Sequence, residues 1–220
     1  MTSIDRQQLR RVPWTLRYHA GARLASDLRR LAVVVTHRHC HVEFRGPVRL
    51  GPGFALHIPD RGSLVVGAGV ELRRGFVCEI SGDGRVTIGD GSIFTGGALI
   101  QCTTSIDIGR RCVFAQAAMV VDGRHRYDDP TRHSLDQGYD YRPLRIGDGA
   151  MIMSKCTIVA DVGEGAMVGA HSLVLRPVPP RCLAGGTPAV VLRRLDQPAP
   201  GPIPEALGDP AGGAAAEVAP

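Results

Sequence analysis

An apolar residue recurs at every sixth position through most of the chain, and this period restricts the fold more than any other feature of the sequence. No helix has a period of six residues, whereas a short strand followed by a tight turn does. Three such hexads make one triangular coil, so the sequence predicts an all-β fold, a parallel β-helix of roughly seven coils of about 18 residues each between about 42 and 190. The series comprises Val66, Leu72, Cys78, Ile88, Phe94, Ile100, Ile108, Phe114, Val120, Ile146, Ile152, Ile158, Val162, Val168 and Val174, with Val48 and Phe54 as a weaker first pair.

Small residues follow the same period. Four positions after an apolar residue the chain has Ser92, Ala98, Cys112, Ala118, Ala150, Cys156, Ala166 and Ser172. A triangular coil leaves little room beside its corners, so we expect these small side chains to lie inside. A total of 28 glycines with only 5% aromatic residues fits such a closely stacked core.

The composition divides the chain into three parts. Residues 1–40 form a basic segment in which Pro13 begins an amphipathic helix from about 13 to 35, residues 41–195 form the β-helix, and residues 196–220 form a disordered tail rich in Pro, Ala and Gly. The net charge is +5, but residues 1–49 carry ten arginines against three acidic residues, so the basic character belongs to the N-terminus. We expect the helix to pack on the coil, with contact to a membrane surface or a polyanion as the alternatives.

Other segments limit the function classes. No apolar stretch approaches the roughly 20 residues of a membrane helix, and no secretory leader is visible at the N-terminus. The six cysteines include no CxxC pair, so neither a zinc ribbon nor a disulfide scaffold is indicated. These observations predict a cytoplasmic protein with reduced thiols.

The hexads stop between Val120 and Ile146, where the chain reads VDGRHRYDDPTRHSLDQGYDYRPLR. We expect this polar segment to leave the coil as a loop. The hexads, the loop and the closing segment GAHSLVLRPVPPRCLAGGTPAVVLRRL together resemble the hexapeptide-repeat acyltransferases, in particular the galactoside and maltose O-acetyltransferases and the polysaccharide O-acetyltransferases of the colanic acid type. The resemblance covers about residues 85 to 195. It implies a left-handed β-helix, a homotrimer with sites between subunits, acetyl-CoA as the donor and no metal.

The same resemblance assigns residues to roles. His125 stands where the family has its catalytic histidine, and Thr95 stands where the galactoside enzymes have an acceptor-binding asparagine. The positions that match the coenzyme A contacts of the family are Ser154, Ala170, Leu175, Arg176, Val190 and Arg193.

Histidine suits the implied chemistry because its pKa lies near neutrality. A sugar hydroxyl attacks a thioester only while a base removes its proton, and His125 would take that proton and pass it to the leaving thiolate. Asp122 or a backbone carbonyl is the candidate for holding the tautomer of His125. We interpret His133 as facing the acceptor or the solvent.

We therefore predict an acetyl-CoA-dependent O-acetyltransferase that modifies a hydroxyl of a sugar, glycoside or glycan precursor, without a nucleic-acid partner. The alternatives are a xenobiotic, antibiotic or amino-sugar acyltransferase on the same scaffold, and a noncatalytic β-helix binding module. His37, His39 and His41 would share one face of a strand, which is a metal-ligand geometry, although a polar strand face is the simpler interpretation.

Overall fold

The computed structural model describes residues 6–197, and the surroundings of side chains from residue 21 onward. The tail predicted to be disordered from residue 196 thus lies outside the described residues, except for Asp196 and Gln197. In the described part of the chain, no helix is long and apolar enough to cross a membrane.

The described part of the chain begins with one long helix, α1 (Arg6–Thr36). This helix starts earlier than the predicted position 13, since the residues before Pro13 are mostly Arg, Gln and Leu, which favour helix, and proline has a helical φ. One face of α1 packs on the first coil: the Ser26 hydroxyl, which is buried, accepts a hydrogen bond from the Leu50 amide at 2.8 Å. The predicted packing of the helix on the coil is confirmed, and the opposite face exposes Leu24, Leu28 and Leu31.

Four coils of three short strands follow α1. Their bounds are β1 (His41–Phe44), β2 (Arg49–Leu50), β3 (Ala55–His57), β4 (Ser63–Val66), β5 (Glu71–Leu72), β6 (Val77–Ile80), β7 (Arg85–Ile88), β8 (Ile93–Phe94), β9 (Leu99–Cys102), β10 (Ser105–Ile108), β11 (Val113–Phe114) and β12 (Met119–Val121).

A loop interrupts the coils after β12 and contains a hairpin and a short 3-10 helix. Its elements are β13 (Gly123–His125), the 3-10 helix (Ser134–Asp136) and β14 (Tyr139–Tyr141). The coils then resume and end in an antiparallel pair. The bounds of these last strands are β15 (Leu144–Ile146), β16 (Met151–Ile152), β17 (Thr157–Ile158), β18 (Met167–Val168), β19 (Leu173–Val174), β20 (Cys182–Gly186) and β21 (Ala189–Arg194).

The strands stack into three parallel sheets, one for each side of the triangular coil. The first sheet has the order β1-β4-β7-β10-β15, the second β2-β5-β8-β11-β16-β18-β20-β21, and the third β19-β17-β12-β9-β6-β3. Only β21 runs antiparallel in these sheets. The repeat shortens along the chain, since His41 lies opposite Ser63 but Ile146 lies opposite Val162. The predicted β-helix is confirmed, with a coil length that varies around the expected value.

The core is the column of hexad residues. All fifteen members of the main series are buried, as are the eight small residues predicted to lie inside. Aromatic rings stack in the same column: the Phe94 and Phe114 rings lie 4.2 Å apart and almost parallel. The prediction fails only in the first coil, where the strand register aligns Phe44 with Val66 and Leu50 with Leu72. Val48 and Phe54 are therefore not the first hexad pair. They lie four residues after Phe44 and Leu50, at the positions that small residues occupy in later coils.

The turn between a second-sheet strand and the following third-sheet strand forms a continuous edge of the molecule, which we call the Arg74 corner. It consists of Pro52, Arg74, Gly96, Gln116, Ser154 and Ala170. Backbone hydrogen bonds connect each turn to the next along this edge, for example from the Gly97 amide to the Arg74 carbonyl and from the Lys155 amide to the Gln116 carbonyl. The loop leaves from a different edge, between the third sheet and the first, which we call the loop corner.

The three alternating histidines do not share a strand. His37 and His39 lie in the turn after α1, and only His41 belongs to β1. The rings of His37 and His39 contact the carbonyls of Leu56 and Ile58 at 3.2 and 2.7 Å. The expectation of one shared strand face is wrong, because the helix continues to Thr36 and places these side chains against the first coil.

Candidate active site

The loop begins at a buried carboxylate. Asp122, directly after β12, accepts hydrogen bonds from the amides of Thr103 at 3.0 Å and Thr104 at 2.6 Å, and from the Thr104 hydroxyl at 2.8 Å. Its carbonyl accepts from the Arg142 amide at 2.8 Å. Through these bonds, Asp122 connects the first and the last residues of the loop to the turn after β9.

The base of the loop is the antiparallel hairpin of β13 and β14, which pairs Arg124 with Asp140 and His125 with Tyr139. On one face, Asp140 accepts from the guanidinium groups of Arg126 at 2.6 Å and Arg124 at 3.2 Å. These arginines lower the pKa of Asp140, Arg126 contributing most. At the tip, the Gln137 side chain bridges to Asp129, accepting from its amide and donating to its carbonyl.

The other face of the hairpin carries three rings. The imidazole of His125 lies 4.2 Å from the Tyr139 ring, and the Tyr139 and Tyr141 rings are stacked at 5.5 Å. Gly123 makes this arrangement possible, because a Cβ at that position would lie 2.4 Å from the Tyr141 ring. His125 is exposed and can reach a ligand.

These rings border a cavity of about 410 Å³ at the loop corner. Polar groups from the coils form its other walls: Glu79 from β6, Gln101 from β9 and Thr103 from the following turn. The Gln101 amide group donates to the Glu79 carboxylate at 2.8 Å. A cavity with an aromatic wall, a polar wall and an accessible imidazole can hold a small polar molecule beside a proton acceptor.

Asp122 lies in this cavity wall but does not have the predicted contact. Among the described residues, the carboxylate bonds only to Cys102, Thr103 and Thr104, and no hydrogen bond joins it to His125. Two residues of β13, Gly123 and Arg124, lie between Asp122 and His125 in the chain. We therefore assign Asp122 to positioning the hairpin that carries His125.

The residues predicted to contact coenzyme A lie away from this cavity in the single chain. Ser154 and Ala170 are on the Arg74 corner, after β16 and β18. Leu175 and Arg176 follow β19 at the end of the loop corner, and both are exposed. Val190 and Arg193 belong to β21, where Arg193 pairs with Leu183. One chain thus presents two separate edges, one with His125 and one with Ser154 and Ala170.

His133 has a local structural contact. Its Nδ1 accepts from the Leu135 amide at 3.3 Å and caps the 3-10 helix, while the residue remains exposed. Sequence reasoning missed Tyr139 and Tyr141. The alternation in YDY was a signal for a strand with both rings on one face, but the pairing with β13 was needed to bring them to His125.

No family model matches the chain. In sequence, it is similar to a probable acetyltransferase of Mycobacterium tuberculosis, with 30% identity over 156 residues, which are 70% of this chain and 52% of the relative. It is also similar to the serine acetyltransferase of Escherichia coli, with 42% identity over 65 residues, 29% of this chain and 23% of the relative. The chain thus spans about half the length, or less, of these curated relatives.

Two solved structures show the same fold. A galactoside acetyltransferase in complex with coenzyme A has a TM-score of 0.51 at 19% identity, covering 70% of this chain and 64% of that one. An N-acyltransferase from Bacillus cereus in complex with dTDP and coenzyme A has a TM-score of 0.57 at 16% identity, covering 70% of this chain and 82% of that one. The chain thus has the left-handed β-helix fold of these hexapeptide-repeat enzymes and is similar in sequence to acetyltransferases.

Proposed function

We propose that this protein transfers an acetyl group from acetyl-CoA to a hydroxyl of a sugar, glycoside or glycan precursor. The observation that carries the proposal is the accessible His125 imidazole beside two stacked tyrosines in a cavity with a polar opposite wall. A pyranose ring has an apolar C–H face that packs on aromatic side chains and hydroxyls that bond to carboxylate and amide groups. Tyr139 and Tyr141 supply the first kind of surface, and Glu79 and Gln101 supply the second.

The proposed reaction forms one C–O bond and breaks one C–S bond. The acceptor oxygen attacks the thioester carbonyl carbon as His125 takes the hydroxyl proton. The tetrahedral intermediate collapses, the C–S bond breaks, and His125 returns the proton to the coenzyme A thiolate. Asp122 keeps the hairpin in place during these steps through its bonds to Thr103 and Thr104.

We propose further that the active enzyme is a homotrimer. Within one chain, His125 and the pair of Ser154 and Ala170 lie on different edges of the triangular coil. If the Arg74 corner of a neighbouring subunit packed against the loop corner, one site would contain His125 from one subunit and Ser154 and Ala170 from the other. Light scattering should then give about three times the 23.4 kDa mass of one chain.

An amine acceptor, such as an amino-sugar nucleotide, is the second candidate. The Glu79 carboxylate lines the cavity and would attract a protonated amine. The N-acyltransferase of Bacillus cereus, which has the same fold, was solved with dTDP and coenzyme A. Parallel assays with a sugar and its amino-sugar counterpart separate the two candidates by the position of the acetyl group in the product.

Calorimetric titration with coenzyme A and acetyl-CoA tests the donor without assuming an acceptor. We expect about one site per chain with micromolar affinity. Arg193→Ala should weaken binding, while Arg61→Ala, which removes the same charge from a highly exposed arginine that is not among the predicted donor positions, should leave it unchanged. Absence of binding would contradict the acyltransferase and favour a noncatalytic binding module.

Contact between α1 and a membrane surface remains a prediction, as does cytoplasmic localisation. The exposed Leu24, Leu28 and Leu31 and the excess of arginine in this segment support the contact with anionic lipid. Sedimentation with vesicles of anionic and of zwitterionic lipid tests it directly.

A further inference from the structure

An arginine-lined groove lies between α1 and the first two coils. Its volume is about 710 Å³, within the range that small-molecule ligands occupy. Five of its lining residues are arginines and one is acidic; these residues are Arg23, Arg29, Arg49, Arg73, Arg74 and Glu71. The groove is therefore strongly positive and suits an anion.

The contacts within the groove show which charges are free. Glu71 forms ion pairs with Arg49 at 3.3 Å and with Arg73 at 3.0 Å. Arg29 donates to the Leu50 carbonyl at 2.7 Å. In the part of the chain that the structure describes, the Arg23 and Arg74 guanidinium groups have neither a hydrogen bond nor an ion pair. Two free guanidinium groups match the two negative charges of a phosphate ester, whose oxygens accept paired N–H donors.

The groove continues into the edge that carries the proposed donor residues. Pro52 and Arg74, which both line the groove, are the first two residues of the Arg74 corner, and backbone hydrogen bonds connect the turn at Arg74 through those at Gly96 and Gln116 to the turn at Ser154. Three coil spacings of about 4.8 Å separate Arg74 from Ser154, so the two positions are about 14 Å apart along the axis. A ligand whose anion rests against Arg74 could extend along this edge toward an acyl group held near Ser154.

We propose that this groove binds the phosphate group of the acyl acceptor, which makes a phosphorylated or nucleotide-linked sugar the substrate class. This inference rests on the proposed acyltransferase function. The shared chemistry is a phosphate, and the other source of a phosphate is coenzyme A itself. The test must therefore separate acceptor phosphate from donor phosphate.

Inorganic pyrophosphate is the probe, titrated calorimetrically into the full chain with and without saturating coenzyme A. Pyrophosphate should bind, and its affinity should be unchanged by coenzyme A. Arg74→Gln should weaken pyrophosphate binding by roughly tenfold, since a charge-assisted contact is lost. Arg61→Gln is the matched control, because it removes the same charge from an exposed arginine outside the groove and should leave binding unchanged.

Absence of pyrophosphate binding, or equal weakening by the two variants, overturns the proposal. Displacement of pyrophosphate by coenzyme A overturns it as well, because the groove would then serve the donor. If pyrophosphate binds with the expected variant effects but coenzyme A does not bind, the acyltransferase function fails and the anion site stands. Arg23→Gln provides a second test of the groove from the helix side, with the same expected loss.

Discussion

Asp122 and Thr104 are joined by two short hydrogen bonds, with the Thr104 amide and hydroxyl both donating to the same carboxylate oxygen at 2.6 and 2.8 Å. The bonds cross from the start of the loop to the turn after β9. They explain how an exposed hairpin keeps a fixed position on the coil.

Asp122→Asn should destabilise the protein and impair acyl transfer. The amide group keeps one acceptor oxygen but replaces the other with an NH2 group that faces the Thr103 amide, and the remaining bonds lose their charge assistance, at a cost of about 1–3 kcal/mol. The melting temperature should fall by a few degrees, because in a chain of this size it changes by about 2–4 °C per kcal/mol of stability lost. Thr104→Val, which removes only the hydroxyl bond, should have a smaller effect; an Asp122→Asn protein with unchanged melting and rate would refute the anchoring role.

His125→Ala should reduce the rate of acyl transfer by about 10²–10⁴-fold, which is the usual contribution of a general base. Coenzyme A binding should persist, since none of the predicted donor residues lines the cavity at His125. His133→Ala serves as the control and should leave the rate close to that of the unaltered protein, because His133 caps the 3-10 helix at the loop tip. Equal losses in the two variants would argue against His125 as the base.

Gly147→Ala should be strongly destabilising. A Cβ on Gly147 would lie 2.4 Å from the Glu164 amide nitrogen in the next coil, so the backbone of one coil would have to move. Gly138→Ala is the comparison: its φ of +78° is unfavourable for alanine, but no atom lies within 4 Å of the added Cβ. In denaturant titrations we expect Gly147→Ala to lose clearly more stability than Gly138→Ala, and the reverse order would contradict the stacking argument.

Cys78 and Cys102 should resist alkylation in the folded protein. Burial raises the pKa of both thiols, and the nearby Asp122 carboxylate adds to the shift of Cys102, whose pKa rises to about 12. At about pH 8 both therefore remain as unreactive thiols. Cys40 is only partly buried and should be modified first. Mass spectrometry after iodoacetamide treatment, before and after unfolding, measures the order; early labelling of Cys102 would show that the loop corner opens.

The sequence alone was sufficient to determine the β-helix. A six-residue period of apolar residues is typical of a β-helix. Each apolar residue then packs on its counterpart in the next coil, as the Phe94 ring packs on the Phe114 ring. It was also sufficient to locate the loop, because the hexads stop and a polar segment has no place in a stacked core. In the first coil the period was weak, and only strand pairing showed that Leu50 rather than Val48 continues the series.

The site depended on the tertiary structure. Glu79 and Gln101 belong to successive coils and line one cavity with His125 only because of the position of the hairpin on the coil, an arrangement that no local pattern encodes. Asp122 was close to His125 in sequence, yet its carboxylate turns to the amides of Thr103 and Thr104, since a buried carboxylate is stabilised by the nearest free donors. The periodicity of the sequence predicts which side chains face the core. The contacts among surface side chains depend on how the coils stack and where the loop lies on them, which the local sequence does not encode.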